Sequence, residues 1–116
     1  MSRESLITEC IRSIESLREY ILVDMKDVPD LRKMAARASY RTLVDFIADF
    51  PGFPTFPNLA QLAVHEDDNE FPEHVMTKAE EMVRSCVQCA EVSTEVLDKF
   101  DTVLMTTYRN VVGLTE

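Results

Sequence analysis

Apolar side chains open the chain in a helical rhythm. Leu6, Ile7, Cys10, Ile11, Ile14, Leu17, Ile21 and Met25 recur at three- and four-residue steps, and Arg3, Glu4, Glu9, Arg12, Glu15 and Arg18 fill the gaps. That spacing puts the apolar set on one face and predicts an amphipathic helix over about residues 3 to 26. Ser2 is placed to cap it, Glu4 lies in its first turn, and Lys26 suits the carbonyl-rich C-terminal end.

A second helix is predicted after Asp27-Val28-Pro29-Asp30, where an Asp cap precedes a proline whose missing N–H costs nothing in a first turn. Its broad apolar side carries Leu31, Met34, Ala35, Ala38, Leu43, Phe46, Ile47 and Phe50, with Arg32, Lys33, Arg37 and Arg41 mostly elsewhere. Phe50-Pro51-Gly52 cannot continue a helix. The run from Phe50 to Pro57 alternates three prolines with Phe50, Phe53 and Phe56, more apolar area than a solvated loop tolerates, so it is expected to pack against something. Thr55 or Asn58 then caps a short helix through Leu59, Leu62, Ala63 and Val64, followed by an acidic loop, His65 to Glu70.

From Pro72 to Val112 the chain has neither glycine nor a further proline. Val75, Ala79, Met82, Cys86, Cys89, Ser93, Val96, Phe100, Val103 and Thr107 keep a three-four spacing throughout. One long helix is the simplest reading. About 38 residues would extend about 57 Å, beyond the roughly 31 to 37 Å of the first two helices. Either a second protomer covers the overhang, or the chain breaks near Ser93-Thr94, where a capping residue precedes Glu95. The unbroken stripe favours the single helix, with Gly113 as its stop. The expected fold is all-α: one domain over residues 1–116, a compact antiparallel helical bundle with one long C-terminal helix, completed by dimerisation.

Composition agrees. The chain of 116 residues is 46% hydrophobic and 28% charged, ordinary for a globular domain, and its 2 glycines are too few for a sheet of tight turns. No basic stretch with an apolar run opens the sequence, and no segment has the apolar length to span a bilayer, so no leader and no membrane are expected, and a cytoplasmic location is. The 3 cysteines are odd in number and do not read as a disulfide framework.

The net charge of −9 is unevenly placed: residues 1–50 hold eight Lys or Arg against nine Asp or Glu, whereas residues 51–116 hold four against twelve. Direct nucleic-acid binding, which needs a basic surface to displace counterions, is thereby disfavoured, and a partner with a basic or apolar surface is favoured.

Catalytic and metal chemistry find little support. Cys86-Val87-Gln88-Cys89 has the spacing of redox pairs and zinc half-sites, but both thiols fall in the apolar stripe, as does Cys10, and core packing accounts for them. His65 and His74 flank the acidic loop without the alternation of an EF-hand or a zinc helix motif. No nucleophile elbow, glycine-rich phosphate loop or paired Glu-x-x-His motif is present. No enzyme, metal or cofactor is expected. The function expected instead is that of a non-enzymatic helical binding protein, a homodimer that sequesters or inhibits another protein, for example as an antiactivator of a regulator. The contact residues expected for it are Phe53, Phe56, Leu59, Leu62 and Met76, because buried aromatic and adaptable apolar side chains anchor interfaces. Two alternatives stand beside it: an acidic mimic occupying a nucleic-acid-binding surface, and a ligand- or metal-binding bundle.

Overall fold

A computed structural model of the chain describes residues 2–48, 50–52, 73–89 and 91–114. The described residues form four α-helices, α1 (Arg3–Glu19), α2 (Asp30–Ala48), α3 (Glu73–Val87) and α4 (Thr94–Gly113), with a π-helical turn, Tyr20–Asp24, extending α1. The expected short helix through Leu59, the acidic loop with His65, and the side chain of His74 lie outside the described residues.

Local signals explain most boundaries. Ser2 caps α1, its hydroxyl oxygen accepting from the Ser5 amide at 3.1 Å. The first helix ends its α geometry at Glu19, earlier than the periodicity implied, because Met25 N–H reaches the Tyr20 carbonyl five residues back at 3.0 Å. That wider turn keeps both Ile21 and Met25 buried. In α2 the Pro29 carbonyl accepts from the amides of Arg32 and Lys33 at 2.9 and 3.2 Å, so the proline stands just outside the helix it starts. Gly52, at φ 93°, turns the chain away beyond α2.

The single long C-terminal helix is not formed. The chain folds back between α3 and α4, of 15 and 20 residues, about 22 and 30 Å long. Ser93 caps α4 by accepting from the Val96 amide at 3.2 Å. The guanidinium of Arg3, from the first turn of α1, donates to the carbonyls of Cys89 and Val92 and so ties the connection between α3 and α4 to the start of α1. Without an overhang, the geometric reason for expecting a second protomer disappears. Of the expected stripe, Val75, Ala79 and Phe100 are buried, whereas Met82, Cys86, Cys89, Val96, Val103 and Thr107 are half-buried and Ser93 is exposed; Val83, Val87, Val92, Leu97, Leu104 and Val111 fill the core instead.

Nor are all neighbours antiparallel. Rising along α1, Cys10 Sγ donates to the Leu97 carbonyl at 3.5 Å, Ser13 donates to Asp101 at 2.7 Å, and Tyr20 meets Tyr108 edge-on at 5.7 Å. Both residue numbers increase together, so α1 and α4 run parallel. Against α1 the order reverses in α3, where Arg18 pairs with Glu80 and Glu15 with Arg84. It also reverses between α2 and α4, where Phe50 packs on Phe100 and Gly52 abuts Val96. Short connections force antiparallel neighbours; the stretch from 49 to 72 between α2 and α3 is long enough to lift that constraint. The buried residues of all four helices, from Leu6 to Val111, join in one apolar cluster.

Candidate protein-binding groove

The broad apolar side of α2 is divided by packing. Ala36, Tyr40, Leu43, Val44 and Ile47 enter the core, while Leu31 at 80% and Phe46 at 56% remain exposed. Between α2 and α4 an open groove of about 500 Å³ runs from Ala38 and Asn110 at one end to Phe46 and Thr102 at the other, with Leu43 and Val103 also lining it. Its walls are rich in hydroxyls: Ser39 and Thr42 on α2, Thr102, Thr106 and Thr107 on α4.

All five hydroxyls are already engaged. Ser39 donates to the Ala35 carbonyl at 3.1 Å, Thr42 to Ala38 at 3.0 Å, Thr102 to Asp98 at 3.0 Å, Thr106 to Thr102 at 2.8 Å and Thr107 to Val103 at 3.0 Å. Each bond goes one turn back along its own helix, a local arrangement that Ser and Thr commonly adopt inside helices. Their protons taken, the walls between the ends offer methyl groups and acceptor lone pairs, with the Asn110 amide as the remaining side-chain donor at one end, so the groove is more apolar than its composition suggests. An aromatic ladder leads from it into the core. Phe46 meets Phe50 edge-on at 5.9 Å, and Phe50 meets the fully buried Phe100 at 5.4 Å.

The other polar concentration is internal. Glu80, only 4% exposed, accepts from Arg18 Nε at 2.5 Å through Oε2. Its Oε1 receives no hydrogen bond and lies 3.5 Å from Arg84 Nη2, a charge contact longer than a good hydrogen bond. The same nitrogen of Arg84 donates to Glu15 at 2.5 Å. This chain of charges joins α1 to α3. Nearby, the buried Tyr40 hydroxyl donates to the Met76 carbonyl at 3.2 Å, and burial, reinforced by the Glu80 charge and opposed by Arg18, raises its pKa above the ordinary phenol value.

Two of the three thiols, Cys10 and Cys86, are held in the protonated form. Burial, with Asp101, Glu9 and Asp98 adding repulsion, pushes Cys10 up to about 12, so it stays protonated and unreactive at neutral pH. Burial and the neighbouring Cys89 also raise Cys86. Among the described residues no three His, Cys, Asp or Glu side chains are placed to hold a metal ion, and no helix is long and apolar enough to cross a membrane.

Of the residues expected to make contacts, Phe53, Phe56, Leu59 and Leu62 lie outside the described residues. Met76 is fully enclosed in the core and offers no surface to a partner. Phe50, from the same aromatic run, packs on the core. Sequence reasoning missed Thr42, Thr102 and Thr106. The available signal was a second line along α2, Leu31, Ala35, Ala38, Thr42 and Phe46, at three- and four-residue steps beside the core line.

No protein-family model matches the chain, and neither does any curated protein or solved structure compared with it.

Proposed function

We propose that this chain is a non-enzymatic helical protein-binding module, which regulates a partner by sequestering it, and that the α2–α4 groove is its binding surface. The observation that carries this is the open, apolar groove whose hydroxyl protons are all engaged within its own helices. Water finds few donors there, and an apolar partner surface displaces it at little cost. The half-exposed Phe46 is backed by Phe50 and Phe100, which gives a ring at the groove's edge the rigidity expected of an interface anchor.

Site-specific photo-cross-linking tests the assignment. A photoreactive phenylalanine analogue at Thr106 is expected to trap a protein partner in cells, and Phe46→Ser to suppress the adduct, while the same analogue at the exposed Lys78 on α3 traps none. Equal adducts from Thr106 and Lys78, or none from Thr106 and Thr42, would overturn it.

A further inference from the structure

Resting on the reading of the groove as a binding surface, we infer that its occupant is a two-turn stretch of amphipathic helix from a partner protein, basic at the end that lies over Asp45 and Asp98.

Backbone chemistry selects a helix. Both walls are α-helices whose amides and carbonyls are bonded internally, so the groove presents no sheet edge to which an extended segment could add itself. The threonine and serine protons are bonded too. An extended or irregular backbone laid here would meet the Asn110 amide as the one remaining side-chain donor among the lining residues and would leave its other carbonyls unpaired wherever water is excluded, a costly outcome. A helix satisfies its own backbone and presents only side chains. The groove's length sets how much of it fits: Ala38 to Phe46 on α2 and Thr102 to Asn110 on α4 each span about 12 Å, or roughly two helical turns. That accommodates three apolar anchors spaced i, i+3 or i+4, and i+7.

Charge sets its polarity. At the Phe46–Thr102 end, Asp45 precedes Phe46 and the exposed Asp98 lies one turn before Thr102. Lys99, also at this end, is held by Glu95 at 3.3 Å, and among the described residues neither Asp45 nor Asp98 is engaged in an ion pair. At the opposite end the exposed Arg109 adjoins the lining residue Asn110. A docked helix with Lys or Arg over the aspartates and none over Arg109 is therefore favoured by the local charge at the two ends of the groove.

The test is titration of the isotope-labelled full chain with synthetic helical peptides of about 16 residues, long enough to hold helical structure. One carries Leu at i, i+4 and i+7 with Lys at one end, the second replaces Lys by Glu, and the third scrambles the order of the first. The first is expected to shift the amide signals of Thr42, Phe46, Thr102 and Thr106, with the Glu version binding about tenfold more weakly at low salt. Asp45→Lys with Asp98→Lys is expected to reverse that preference. Thr106→Lys, at an exposed position, is expected to lower affinity about tenfold with the melting temperature unchanged. Equal binding of the scrambled peptide would overturn the helical occupant while leaving the groove a binding surface. A sedimenting dimer that Thr106→Lys dissociates, with no peptide bound, would make a second copy the occupant. Shifts confined to residues outside the groove would overturn both the occupant and the groove.

Discussion

Phe50 stands edge-on to Phe100, ring centroids 5.4 Å apart and planes at 80°, and Phe46 repeats the arrangement on its other side at 5.9 Å and 68°. Stability and binding should separate along this ladder. Phe100→Ala empties a fully buried site and is expected to cost about 3–5 kcal/mol in urea denaturation. Phe46→Ala loses one partly exposed ring contact, about 1 kcal/mol, yet is expected to weaken partner binding at least tenfold. Equal stability losses at the two positions would contradict the ladder.

Gly52 combines a left-handed backbone with a close neighbour. At φ 93° a Cβ is strained, and it would sit 2.5 Å from Val96 Cγ2. Gly52→Ala is therefore expected to destabilise by more than about 1 kcal/mol. Adding Val96→Ala relieves the collision but not the backbone strain, so the double variant should recover only part of the loss the two single changes predict together.

The Arg18–Glu80 pair should be expensive to break and cheap to replace. Arg18→Met leaves the buried Glu80 carboxylate without its 2.5 Å partner and is expected to cost about 3–5 kcal/mol. Arg18→Met with Glu80→Leu removes both charges and should recover most of that in a denaturation-based double-mutant cycle. A double variant as unstable as the single one would show that the pair stabilises the fold outright.

Alkali should unfold the chain partly through Cys10. Its folded pKa of about 12 lies above the 9.0 of an exposed thiol, so above pH 9 the unfolded state sheds the proton first. The associated stability is whole below pH 9 and is lost as pH rises towards 12. Tyr40, raised in the same direction, adds to the slope. Cys10→Ala is expected to flatten the alkaline limb of a stability–pH curve, and Cys10 should resist thiol reagents at pH 8 until the chain is denatured.

The fold-back between α3 and α4 is measurable as a distance. Spin labels at the exposed Lys78 and Arg109 would be about 46 Å apart on one continuous helix. With both helices beside α1, they are expected within about 30 Å. Ser93→Ala, which removes the cap, should cost about 1 kcal/mol without lengthening that distance.

By itself the sequence determined that the chain is helical, that α1 starts after Ser2, that a second helix follows the turn at Asp27 to Asp30, and that Phe50-Pro51-Gly52 ends it, because caps, prolines and apolar spacing act within a turn or two of where they stand. It could not determine whether residues 73–112 form one rod. Met76, Val83, Leu97, Leu104 and Val111, all buried, are seven or fourteen residues apart, so the core line keeps one phase straight through the break. A break that returns the buried line to the same phase leaves the apolar periodicity unchanged, so the pattern does not reveal whether the helix is continuous. Only tertiary structure decided that, through the Arg3 guanidinium reaching the Cys89 and Val92 carbonyls from the far end of the chain. The groove was hidden for a related reason. Composition cannot say which of two apolar lines on α2 the bundle will cover, nor that the threonine protons facing the open one are bonded to their own helices.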